Sequence, residues 1–219
     1  AEIYTDKIGN DDKAADNYEA ILKLDEFNLK AIIALETLYA KAKKYDKNVA
    51  ILKRHVDIAS NLIDQKDLLY RIAEIQENSL QNTEEAVTAY NSVLDLDPED
   101  SVALDALEKL YLQSENWNEL IHIYKRKIDV VTDANERVKL NVKVAETSRA
   151  HLNDIDAAIE YYNQALNEDM DNLQVLRSLE DIYRETKRTD DLVENIQAQV
   201  ALAEKAGDAE AKTADQIKL

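Results

Sequence analysis

The histidines are the first residues to weigh for chemistry, because imidazole binds metal ions and transfers protons near neutral pH. The chain of 219 residues has three of them, His55, His122 and His151. No two stand at the i, i+4 spacing that would place them together on one face of a helix. Cysteine is absent, so neither a thiolate ligand nor a thiol nucleophile is available. The pattern predicts no metal site and partly exposed histidines on helix surfaces.

Glycine usage excludes a further group of sites. Gly9 and Gly207 are the only glycines, whereas phosphate-binding loops, dinucleotide fingerprints and the G-x-S-x-G nucleophile motif each need two or more glycines at short spacing. Carboxylates are so abundant, at 45, that an acid/base pair cannot be recognised from their presence. We therefore predict that the protein is not an enzyme and needs no cofactor.

Two acidic runs and a tryptophan also invite a ligand. Residues 95–100 read DLDPED and residues 167–172 read NEDMDN, but a calcium-binding EF-hand loop needs a glycine at its sixth position, which neither run has. We interpret both runs as acidic turns between helices. Trp117 could form a stacking platform, but its place at the start of a helix favours packing.

The net charge of −18 argues against nucleic acid as a partner, because that affinity comes mostly from lysine and arginine on phosphates. Anionic membrane surfaces are disfavoured for the same reason. No apolar run approaches the ~20 residues that span a bilayer, and the N-terminus lacks the pattern of a signal peptide. We expect a soluble acidic protein. Its compartment is left open, with the cytoplasm slightly favoured.

An internal repeat of 72 residues organises the chain. LETLY, LEKLY and LEDIY recur at this offset, beginning at Leu35, Leu107 and Leu179. Other residues in register are Tyr18, Tyr90 and Tyr162, and Leu22, Leu94 and Leu166. Apolar residues recur at i, i+3, i+4 and i+7 between these landmarks, which predicts amphipathic helices, and the near absence of glycine and proline favours long ones. Each repeat divides into two helical hairpins of 34 and 38 residues, so that about twelve helices are expected.

Helix boundaries carry their own signals. Asn82 and Asn116 can cap helices, each with a glutamate three residues later. Pro98 disfavours helical geometry at Asp97, which predicts a helix end there. The opening ten residues match the stretches that begin at Ala73 and Ala145, so the chain is expected to start in the middle of a helix.

These residues resemble the tetratricopeptide repeat (TPR) family, in arrays of the bacterial type. Ala86, Tyr90 and Pro98 fall at the small, aromatic and proline positions of the second helix and closing turn of a family repeat. Later hairpins supply further aromatic and small residues: Tyr124, Tyr162, Ala158 and Ala165. The resemblance covers nearly the whole chain and implies an all-α fold, a right-handed α-solenoid of stacked antiparallel hairpins.

Two departures from the family pattern stand out. Glutamates occupy the place of the small glycine of the first helix: Glu74, Glu108, Glu146 and Glu180. Alternate repeats also carry about four extra residues, which we place in the loop before the first helix. The predicted organisation is one solenoid over residues 1–219, with an incomplete hairpin at 1–28, repeats near 29–66, 67–100, 101–138, 139–172 and 173–206, and a polar or capping helix at 207–219.

The resemblance implies that first helices line a groove that receives a peptide. Groove positions carried over from the family are Arg71, Ile72, Ile75, Asp105, Lys109, Lys143, Val144, Arg177, Asp181 and Arg184, together with Lys30, Lys41 and Glu185 and, in the incomplete hairpin, Asp6 and Lys7. Bases outnumber acids there by eight to four, against 27 to 45 in the whole chain. We hypothesise that this stripe binds an acidic or phosphorylated segment. The alternative is that the bases pair internally with surrounding acids.

The predicted function is a protein–protein interaction scaffold or adaptor. The carboxylate clamp of chaperone-binding family members is not expected, since the matching places hold Ile75, Ala106 and Leu140. The alternative function is a structural solenoid that assembles with copies of itself. The expected partner is another protein or peptide, and a homo-oligomer stays open.

Overall fold

A computed structural model describes residues 11–207. Within that range the chain forms helices and turns and no strand. The helices are α1 (Asp11–Leu24), α2 (Leu29–Lys41), α3 (Tyr45–Ile58), α4 (Leu62–Glu74), α5 (Thr83–Leu96), α6 (Ser101–Gln113), α7 (Trp117–Val130), α8 (Ala134–Leu152), α9 (Ile155–Glu168), α10 (Leu173–Thr186) and α11 (Thr189–Ala206). A π-helical turn, Ile75–Ser79, continues α4. The predicted opening and terminal helices lie outside the described residues.

The helices pack as consecutive hairpins, which confirms the all-α hairpin fold. We call α2, α4, α6, α8 and α10 first helices, and α1, α3, α5, α7, α9 and α11 second helices. The chain divides into two compact units, residues 1–110 and residues 111–219. In unit 1, α1 packs on α2, α2 on α3, α3 on α4 and α4 on α5. In unit 2, the same succession runs from α7 to α11.

The turn inside each hairpin depends on a left-handed residue at the end of the first helix. Lys43, Glu115 and Lys187 have φ of 53°, 54° and 57°, and Gln81 and Asn153 have φ of 53° and 54°. The first three are 72 residues apart, as are the last two. Such a residue ends a helix and exposes its last carbonyls to new donors. None of the five is glycine, so the low glycine content does not prevent tight turns.

Asparagine and aspartate begin several of the helices. The side chains of Asn28, Asn61, Asn82, Asp133, Asp154 and Asn172 each accept a hydrogen bond from a backbone N–H in the first turn. The cap predicted at Asn82 is therefore confirmed. The cap predicted at Asn116 is wrong, because its side chain makes no such bond. Asp97 is the residue that ends α5, as the proline after it predicts.

Each unit has an aromatic and aliphatic core between its helices. Tyr18, Leu35 and Tyr39 are buried together in unit 1. In unit 2, Tyr162 packs with Ala158 and Ala165, whose side chains are fully buried. Small residues at these two places let neighbouring helices approach closely, as the resemblance implies.

The burial pattern corrects the register of α4 and α8. In α2 and α10 a buried leucine precedes a buried glutamate, as in Leu179 and Glu180. The matching buried pairs are Ile72 with Ala73 in α4 and Val144 with Ala145 in α8. The small residue of the family therefore stands at Ala73 and Ala145, and not one residue later, where the sequence alignment placed Glu74 and Glu146.

The hairpin lengths change with this register. The core positions Leu35, Ile72, Leu107, Val144 and Leu179 are spaced by 37 and 35 residues alternately, in place of 38 and 34. The extra residues lengthen the first helix and do not lie in a loop before it: α8 has 19 residues, whereas α2 and α6 have 13. The boundaries predicted near 67 and 139 consequently fall inside α4 and α8.

Candidate functional site

The bases of the first helices in unit 1 are engaged by neighbouring hairpins. Arg71 Nη2 donates to Glu36 Oε2 over 2.9 Å, and Lys109 Nζ donates to Glu77 Oε1 over 2.7 Å. Lys41 Nζ lies 2.6 Å from Asp11 Oδ2. Each of these pairs joins one hairpin to the next. The internal-pairing alternative therefore describes these bases better than a free basic groove does.

The apolar residues assigned to the groove lie elsewhere. Ile72 and Val144 are 2% and 0% exposed, so they belong to the core and cannot line a groove. Their misplacement follows from the one-residue error in register. Ile75 is half-buried at the start of the π-helical turn.

The corrected register also changes the charge of the surface. In unit 1 it aligns the stretches 30–41, 67–78 and 102–110 of the first helices. Their exposed or half-buried acids are Asp67, Glu74, Glu77, Asp105 and Glu108, and their bases are Lys30, Lys41, Arg71 and Lys109. Acids thus outnumber bases, so the reversal of charge expected from the sequence does not hold on the first helices of unit 1.

In unit 2 the predicted bases have different surroundings. Lys143 Nζ lies 5.1 Å above the ring of Tyr124 on α7, so it covers the preceding second helix. Arg184 donates to Glu180 Oε1 from Nε and Nη2, over 3.1 and 3.0 Å. Arg177 and Asp181 are exposed on α10. Arg177 has no hydrogen bond or ion pair with any residue in the range 11–207.

We call the exposed side of α8 and α10 the first-helix face of unit 2. One ion pair joins the two helices across it: Arg149 Nη2 donates to both carboxylate oxygens of Glu185, each at 2.8 Å. Arg177 lies two helical turns before Glu185 on the same helix. This face thus presents one guanidinium available to a ligand beside a fixed interhelical contact.

The acidic run at residues 95–100 forms a closed network with α4. Lys66 Nζ contacts the carboxylates of Asp97, at 2.8 Å, and Asp100. Tyr70 also donates its hydroxyl proton to Asp100, and Asp100 Oδ1 accepts from Ala103 N over 3.0 Å at the start of α6. Burial would raise the pKa of Asp100, but the bonds from Lys66 and Tyr70 outweigh it and lower that pKa. The run is a turn held by a lysine.

The histidines and the tryptophan are used for packing. His151 stacks on Trp117, with ring centroids 3.6 Å apart and an interplanar angle of 15°. His55 Nδ1 contacts Glu36 Oε1. Between Asp11 and Gly207 no three metal-binding side chains come together. The packing interpretation of Trp117 is the one that the structure supports.

Two clefts between second helices were missed by the sequence analysis. The first, of about 630 Å³, lies between α1 and α3, above Tyr39. The second, of about 320 Å³, lies between α9 and α11, above Tyr183. Their lining residues match at an offset of 144 residues, twice the repeat, so a comparison of second-helix residues across repeats could have revealed them.

Helical hairpins with paired charges and shallow clefts define a class: a helical-repeat protein built for contact with other proteins. Tetratricopeptide repeat models match residues 67–100, 103–138 and 148–172. The chain belongs to the tetratricopeptide repeat family. No curated protein matches its sequence. None of the described helices is both long and apolar enough to cross a membrane.

Several solved structures are similar to the chain. One is that of YrrB, described as a TPR protein with an unusual peptide-binding site, at 14% identity and a TM-score of 0.40 over 81% of this chain and 87% of that one. A MamA structure (AMB-1) has 18% identity and a TM-score of 0.42 over 79% and 90%. BtubC from P. vanneervenii has 11% identity and a TM-score of 0.41 over 92% and 91%. The family assignment rests on the three repeat matches.

Proposed function

We propose that this interaction scaffold binds an acidic or phosphorylated segment of a partner protein on the first-helix face of unit 2. The observation that carries the proposal is Arg177, an exposed guanidinium on α10 with no ion pair among residues 11–207. The other bases predicted for the groove are engaged with acids or, as with Lys143, with an aromatic ring.

A guanidinium is suited to this role because its planar donors match a carboxylate or phosphate in a bidentate arrangement. Arg184 stands seven residues further along α10, where its bonds to Glu180 hold it in place. Two turns of helix therefore separate a free base from a fixed one. An extended segment with acids at matching spacing would reach both.

The test is a fluorescence-anisotropy titration with acidic peptides and with their phosphoserine counterparts. Arg177→Glu should abolish binding, because it replaces the ligand's partner by a like charge. Lys143→Glu is the matched control: it reverses a charge on α8 that lies over Tyr124, so we expect a much smaller loss. Affinity should fall as salt is raised. Circular dichroism verifies that both variants stay helical.

The proposal fails if Arg177→Glu binds as tightly as the wild type, or if the peptides do not bind at all. Analytical ultracentrifugation on the same samples tests the alternative function. A mass that rises with protein concentration, together with no peptide binding, would favour the self-assembling solenoid. A constant monomeric mass with peptide binding supports the adaptor. That the chain binds neither nucleic acid nor membranes, and catalyses no reaction, stays a prediction.

A further inference from the structure

The two second-helix clefts occupy the same place in the first and third copies of the repeat. Tyr39 and Tyr183 form their floors, and Leu22 and Leu166 line the same side. The backbone setting is therefore shared. Any difference in what the two clefts can bind must come from the side chains that have changed.

The residues that differ are charged ones on the second helix after the floor. Lys47 and Arg54 of α3 line the first cleft. Asp191 and Ala198 of α11 take their places in the second cleft, where Glu194 replaces Ala50. The same architecture thus carries a basic wall in unit 1 and an acidic wall in unit 2.

The bases of the first cleft are only partly neutralised. Lys47 donates to Glu19 over 2.8 Å, and Tyr39 also donates to that carboxylate. The bonds from Lys47 and Tyr39 lower the pKa of Glu19, which stays ionised and satisfied. Arg54 is exposed and has no hydrogen bond or ion pair within residues 11–207.

Apolar surface adjoins this guanidinium. Leu22 and Ile51 line the cleft with 5% and 7% of their surface exposed. Leu24, at its rim, is 92% exposed, an unusual cost for a leucine in a monomer unless a ligand covers it. An apolar side chain could enter between α1 and α3 while an acid beside it reaches Arg54.

We propose that the cleft between α1 and α3 is a second docking site, whose occupant is a segment of a partner protein with an apolar side chain flanked by acidic residues. Charge complementarity selects this occupant: the wall offers Arg54 and Lys47, whereas the net charge of the whole chain is −18. The cleft in unit 2 has the same floor and carries the opposite charge, so it should reject the same segment. The inference does not depend on the function proposed for α10.

The test uses a fluorescein-labelled peptide that has a leucine between two pairs of glutamates. Titrations are done in an Arg177→Ala background, so that binding at the first-helix face is removed. We expect saturable binding to one site, weakened about tenfold by Arg54→Ala, which corresponds to the loss of one charge-assisted contact. Amide NMR shifts should be confined to the turn after α1 and to residues 47–54.

A gain-of-function variant makes the test independent of damage to the fold. The triple change Asp191→Lys, Glu194→Ala and Ala198→Arg gives the unit 2 cleft the wall residues of the unit 1 cleft. It should raise the stoichiometry from one peptide to two. The inference is overturned if the peptide does not bind, if Arg54→Ala leaves its affinity unchanged, or if the triple variant still binds one.

The two proposals fail independently. If the peptide binds the wild type but not the Arg177→Ala protein, the cleft inference is overturned and the first-helix face of unit 2 is supported. If binding persists in that background and is lost in Arg54→Ala, the cleft is the site of this peptide.

Discussion

Gln199 donates a hydrogen bond from Nε2 to Glu180 Oε2 over 2.9 Å in the buried interior of unit 2. In unit 1, His55 contacts Glu36 across the same separation of 19 residues. Both glutamates stand where the family has a small residue, and they are only 7% and 6% exposed. A buried carboxylate costs free energy unless it is hydrogen-bonded. The second helix of the hairpin supplies the donor that makes this substitution tolerable.

Replacing the donor should destabilise unit 2. Gln199→Leu keeps the size of the side chain but removes a bond to Glu180, so we expect the free energy of unfolding to fall by about 1–3 kcal/mol. Urea unfolding followed by circular dichroism measures it. Gln174→Leu, at an exposed position of α10, is the control and should change stability little. Equal stability of the two variants would contradict the role assigned to Gln199.

The network around Asp100 predicts a pH dependence of stability. Its folded pKa lies below the ordinary value of 3.8, so its contribution is fully present above that pH and is lost as the pH falls through the folded pKa. Asp100→Asn should cost about 1.5 kcal/mol at pH 7, because it removes the charge that Lys66 and Tyr70 contact. The difference from the wild type should shrink below pH 3.8. A difference that is constant from pH 7 to pH 2.5 would refute this account.

Left-handed residues in the hairpin turns offer a route to higher stability. Gln81 is exposed and has φ of 53°, a conformation that costs an L-residue roughly 1 kcal/mol and glycine almost nothing. Gln81→Gly should therefore raise the free energy of unfolding by about 0.5–1 kcal/mol. Thr88→Gly, in the middle of α5, should lower it by a similar amount. Destabilisation by both glycines would show that the turn is unstrained.

The aromatic position of the second helix tests the core. Tyr162 is 3% exposed, and its truncation to alanine should cost about 3–5 kcal/mol, through lost burial and the cavity left behind. Tyr162→Phe retains the ring, so we expect a cost near 1 kcal/mol. Thermal or urea unfolding separates the two variants. A phenylalanine as harmful as the alanine would place the importance on the hydroxyl group.

The candidate surfaces were harder to predict than the fold. Arg71 and Lys143 lie on first helices as expected, but each turns toward the preceding hairpin, where it meets Glu36 or Tyr124. The cleft beside Arg54 left no motif in the sequence, because its walls come from helices more than 20 residues apart. Such contacts depend on how far one helix is displaced along its neighbour.

Local physics determined the hairpins and the repeat. Amphipathic periodicity, asparagine and aspartate caps, and the 72-residue recurrence of LETLY at Leu35 can all be read without coordinates, because each depends on residues within one or two turns. Only the tertiary structure decided the register of α4 and α8. An apolar stripe remains plausible when it is shifted by one residue, and burial alone distinguishes Ala73 from Glu74. That one residue moved Ile72 and Val144 from the groove to the core, and the packing of helices against each other decided which charges were left for a partner.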